Sequence, residues 1–108
     1  MIARIWHGKV LTQKSEQYHQ YVLKTGLHDY EKVDGNEGVF LLKKDEGTIT
    51  HFYTLSFWRD IPAIKKFAGE DYEKARYYPE DKDFLLEFET HVTHLDVLEK
   101  PSYFTFLS

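Results

Sequence analysis

The 108-residue chain contains no cysteine, which excludes disulfides, thiolate nucleophiles and zinc–thiolate sites. No apolar run comes near the ~18 residues of a membrane span. The segment Met1 to His7 lacks the build of a signal peptide. A cytoplasmic protein without a membrane partner is the expectation. Basic clusters are missing as well. Lys43-Lys44 and Lys65-Lys66 are isolated pairs in a chain of net charge −4, whereas phosphate-directed nucleic-acid binding needs a basic face. No Gly-x-Ser-x-Gly turn occurs, and the glycines follow neither phosphate-loop nor dinucleotide spacing. His91 and His94, three apart on an expected strand, would face opposite sides, so no metal site is expected.

Aromatic residues, by contrast, are plentiful. Eight Tyr, eight Phe and two Trp make up 17% of the chain, enough to line a cavity or a large interface besides filling a small core. The run His51-Phe-Tyr-Thr-Leu-Ser-Phe-Trp58 carries apolar bulk at alternate positions of both parities. As a strand it would place Tyr53, Leu55 and Phe57 on one face and Phe52 and Trp58 on the other. A strand of that kind is covered on both sides. The helices available cover only one, so a second copy of the chain is the expected cover for the other. Such a homodimer interface would bury on the order of 1,600 Å² or more.

The order of elements follows from periodicity and breakers. Ile2 to Leu11 reads as a first strand rich in β-favouring residues. A helix is expected from about Lys14 to Lys32, its inner stripe being His19, Val22, Leu23, Gly26 and Tyr30, with Gly26 marking a close approach or a bend. Gly38 to Lys43 reads as a second strand, Asp45-Glu-Gly47 as a hairpin turn, and Thr48 to Trp58 as a third strand. Asp60 caps a second helix with Pro62 in its first turn; a further helical piece is expected over Glu70 to Tyr78. A last strand spans about Phe88 to Leu98. The resulting β-α-β-β-α-β order is the α+β, ferredoxin-like arrangement with a four-stranded antiparallel sheet. Residues 1–100 form the domain, and the apolar tail 101–108 is expected to pack on its own or the partner subunit.

With that layout the chain resembles the antibiotic biosynthesis monooxygenase superfamily of dimeric α/β barrels, over Ile2 to about Leu98. The resemblance rests on Leu55-Ser-Phe-Trp58 leading into Asp60-Ile-Pro-Ala-Ile64, on Phe67-Ala-Gly-Glu-Asp71, and on Ala75-Arg-Tyr-Tyr-Pro-Glu-Asp81. It implies one of three activities: cofactor-independent oxygenation of phenols or anthrones, haem degradation, or no catalysis at all. Haem-degrading members carry an Asn in the first strand, a Trp ending the third and an iron-binding His on the second helix. Trp58 matches the Trp, and His7 falls near the Asn position. Ile61 to Tyr78 contains no His. Haem is therefore the disfavoured alternative, with His19 as a different axial ligand, and no cofactor is the primary expectation.

Oxygenation of that kind needs a base near neutrality, a donor for the developing oxyanion and a dry pocket. His7 is the candidate base and Trp58 its companion in the cavity, provided that both face the helices. His19, Phe52, Phe67, Tyr72 and Tyr78 are the expected pocket lining. A homodimer binding a small aromatic molecule is the expected assembly. A silent ligand-binding or structural dimer is the competing reading, in which Trp58, Phe67 and Tyr72 fill the cavity themselves.

Overall fold

The computed structural model describes residues 1–102; part of the expected tail, 103–108, lies outside the described residues. The sheet comprises β1 (Ile2–Leu11), β2 (Asn36–Glu46), β3 (Ile49–Trp58) and β4 (Thr93–Asp96), in the order β2-β3-β1-β4 and antiparallel throughout. Helices α1 (Ser15–Lys24), α2 (Gly26–Glu31) and α3 (Ile61–Ala68) pack on one face. This is the ferredoxin-like α+β fold. Among the described residues no helix is long and apolar enough to cross a membrane.

Local chemistry explains the boundaries. Asp60 Oδ1 accepts from the Ala63 amide at 2.9 Å and caps α3, satisfying a donor the helix cannot satisfy internally. The β2–β3 hairpin turns on Gly47-Thr48, with Gly47 at φ +65°, a conformation open to glycine at no steric cost. The expected first helix is broken in two. At the break the Thr25 hydroxyl donates to the Tyr21 carbonyl at 2.8 Å, and Gly26 starts α2. Tyr18, Val22 and Tyr30 are the buried residues of this pair, whereas Leu23 of the expected stripe is exposed.

Two expectations need correction. Glu70 to Tyr78 is not helical, because its backbone pairs with the approach to β4 instead. Ala75 N–H donates to Thr90 O at 2.9 Å, and Val92 N–H donates to Glu73 O at 2.9 Å. For the same reason the last strand is only Thr93–Asp96 long; upstream of it Leu86 N–H bonds to Lys9 O.

The core forms two clusters on the helix side of the sheet. One gathers Trp6, Val10, Tyr18, Val22, Phe52 and Leu85. The other gathers Tyr30, Trp58, Ala63, Ile64 and Phe67.

Candidate functional site

Strand register decides what each face offers. Arg4, Trp6 and Val10 of β1 point to the helices with Phe52, Thr54 and Trp58 of β3, while Ile5, His7, Leu55 and Phe57 point away. A cavity of about 50 Å³ lies on the helix side, at the seam of the two core clusters. Its lining includes Arg4, Trp6, Tyr18, Tyr21, Tyr30, Thr54, Phe67, Arg76, Tyr77, Tyr78 and Asp81. Trp6 can lie flat at this wall because Gly8 lacks a side chain: a Cβ there would meet the indole at 2.4 Å.

Rings and guanidinium groups are stacked around Phe67. Tyr30 stacks on it with centroids 4.2 Å apart. The Arg4 and Arg76 guanidinium carbons sit 5.4 Å and 5.0 Å from its centroid, within cation–π range. Arg4 is 1% exposed. It donates to the Tyr30 hydroxyl at 3.3 Å and to the Lys74 carbonyl at 3.4 Å, and its Nε has no partner. Burial lowers its proton affinity. Burial pushes the Tyr21 hydroxyl up to about 12 and raises those of Tyr18, Tyr77 and Tyr78, so all four are neutral donors at pH 7. Asp81 supplies a carboxyl group to the lining. Desolvation raises it above the ordinary carboxylate range, while its Oδ2 accepts from the Tyr78 amide at 2.6 Å.

The sequence-derived site is divided by this geometry. Phe67 and Tyr78 line the cavity. Phe52 is core packing. His19 sits on the outer side of α1, 4.0 Å from Glu16, with its side chain 45% exposed. Tyr72 packs edge-on against His94, and neither it nor His19 lines the cavity. Trp58 is fully buried behind Phe67, with its indole N–H donated to Ser56 Oγ at 2.9 Å. The shared His7–Trp58 cavity must be corrected, because the two side chains stand on opposite faces of the sheet. Apolar residues of both parities hid which face of β1 meets the helices. Arg4 and Arg76 went unnoticed in the sequence. The available signal was parity: Arg4 shares its face with Trp6 and Val10.

On the open face His7 has its own partners. Its Nδ1 bonds to the Glu89 carboxylate, and its Nε2 lies 2.8 Å from His51 Nδ1. His51 Nε2 is 3.6 Å from Glu46, and the two imidazoles stack with centroids 5.1 Å apart. With Nδ1 donating to Glu89, Nε2 of a neutral His7 accepts from His51. Among the described residues no group of three or more His, Asp or Glu is placed to hold a metal ion.

Fold and cavity together define an α+β protein with a ring-lined hollow between sheet and helices. No protein-family profile matches the chain, and no curated protein matches it in sequence. Among solved structures it is similar to an MhuD variant crystallised with two manganese protoporphyrin IX molecules bound per active site. The TM-score is 0.62 at 13% identity, covering 94% of this chain and 99% of that one; at that identity the likeness is one of fold.

That neighbour overturns the expectation of no cofactor, since the same fold holds a metalloporphyrin there. The aromatic walls and the two guanidinium groups suit a flat ring bearing carboxylates. However, no His, Cys or Met among the described residues lines the cavity, and Tyr30 and Phe67 close up to leave about 50 Å³. Ligand sites run to roughly 300 Å³ and more, so a porphyrin ring does not fit the cavity in this conformation.

Proposed function

We propose that the chain is a homodimeric member of the antibiotic biosynthesis monooxygenase superfamily that binds a flat aromatic molecule between sheet and helices and oxygenates it. The observation that carries this reading is the hollow walled by Trp6, Tyr18, Tyr30, Phe67, Tyr77 and Tyr78; at about 50 Å³ it takes a flat ring system only once walls such as Tyr30 and Phe67 move apart. Rings of that kind bind flat molecules through stacked and edge-on contacts. Within it the Tyr21 hydroxyl, without a partner among the described residues, is the donor open to a ligand. The Tyr77 and Tyr78 hydroxyls already donate to the Glu89 carbonyl and to Asp29, and Asp81 is the group placed to take up a proton. His7 faces away from this cavity, so it has no part in the proposal.

The dimer is supported by the open face of the sheet. Cross-strand rows Leu42–Tyr53–His7 and Phe40–Leu55–Ile5 run across three strands, and Phe57–Ala3–Leu95 reaches β4. Phe40, Leu42 and Leu95 are each close to half exposed. A contiguous apolar face of this extent marks an interaction surface.

Oxygen consumption with dithranol, an anthrone, tests the reaction, with calorimetric binding run alongside. Binding with uptake supports it; binding without uptake leaves a ligand-binding protein; neither removes the reading. A second reading, metalloporphyrin binding, is favoured by the group held in the MhuD structure. A haemin titration decides it: a Soret shift at micromolar protein supports binding, and an unshifted band ends the case.

A further inference from the structure

Arg4 is a buried cation without a counter-ion. No carboxylate pairs with it among the described residues; the groups acting on its charge are the Tyr30 hydroxyl and Arg76, itself positive. Its two hydrogen bonds go to neutral oxygens at long range. Its Nε has no partner among the described residues, and Arg4 is one of the residues that line the cavity. Leaving a buried charge unpaired is among the costliest arrangements in a protein interior. Asp81 lines the same cavity, but it is bonded to the Tyr78 amide instead. On the strand beside Arg4, His94 pairs across the sheet and carries another orphaned nitrogen, Nε2. Burial lowers the basicity of that imidazole, and Arg4 lowers it further, so it offers no negative charge.

We infer that Arg4 receives an anionic group from the ligand, and that the substrate class is an aromatic carboxylate. The inference rests on the cavity being the ligand site. The hollow of about 50 Å³ exceeds the ~30 Å³ share of one water and suits a carboxylate head better than a ring. The head enters beside the Arg4 guanidinium, which reorients to meet it, and the rings of Phe67, Tyr77 and Tyr78 meet the flat body. A carboxylate oxygen accepting from a guanidinium forms a charge-assisted bond, about twice as strong as a neutral one. Arg76, at the same ring but already paired with Asp29 at 3.6 Å, has less need of an anion.

The test uses 2-naphthoate and its neutral counterpart 2-naphthamide, titrated calorimetrically into the whole protein and into Arg4→Met. The expected result is that naphthoate binds at least about tenfold tighter than naphthamide to the parent protein, as one charge-assisted bond allows. In R4M the preference should vanish while naphthamide binding persists. Equal affinity of the two probes for the parent overturns the anion assignment and leaves the cavity as an aromatic site. An undiminished naphthoate preference in R4M overturns it as well. Binding of neither probe overturns both this inference and the reading of the cavity as a ligand site. The parent comparison stands alone if R4M fails to fold.

Discussion

The two faces of one sheet are short of opposite things. On the covered face the apolar groups are satisfied, with Trp58 and Val10 fully buried, and a polar group, Arg4 Nε, lacks a partner. On the open face the polar groups are satisfied, as His7 is by Glu89 and His51, and apolar side chains such as Leu95, 52% exposed, are left to water. The difference teaches that the two faces lack different chemistries: negative charge beside Arg4 on one side, apolar cover on the other.

The sharpest break of that contrast removes the ring at its centre. Phe67→Ala should cost about 3–5 kcal/mol in chemical denaturation, because Phe67 touches Tyr30, Trp58 and both guanidinium groups. A loss under 1 kcal/mol would mean that the covered face is not packed as described. Next in size is Leu55→Arg on the open face. It should weaken self-association by about 100-fold or more, the range of an interface hot spot, as read by sedimentation; unchanged assembly would place the partner elsewhere.

A smaller effect is expected from pH. His94 has its proton affinity lowered by burial and by Arg4, so the unfolded chain takes up the proton first as pH falls below its ordinary value of 6.5. Stability should therefore decline on acidification from that pH, and His94→Gln should flatten this part of the profile in melts at several pH values. Smallest of all is His7→Ala. It should leave binding in the cavity unaltered, because the side chain lies across the sheet; a clear loss would couple the two faces.

Much of the fold was legible in the sequence, for reasons that are local. Asp60 and Pro62 announce the start of α3, Gly47 announces the hairpin, and the spacing of apolar runs gives the succession of elements along the chain. Non-local bonds were not legible. Glu70 to Tyr78 has a helix-compatible pattern, yet Ala75 and Val92 find their partners across space, and no propensity reports that. The site was harder still. Parity correctly separated Phe52 and Trp58 from Tyr53, Leu55 and Phe57, but both faces are greasy, so the side that meets the helices could not be told. Arg4 was passed over because an arginine in a strand reads as solvent-facing until the register is known.

The space under one indole has an optical consequence. Gly8 lets Trp6 lie at the cavity wall, while Trp58, the chain's other tryptophan, is sealed at 0% exposure. Emission from the first should respond to whatever enters the hollow, and that from the second should stay constant. The protein thus carries a built-in fluorescent gauge with its own internal reference.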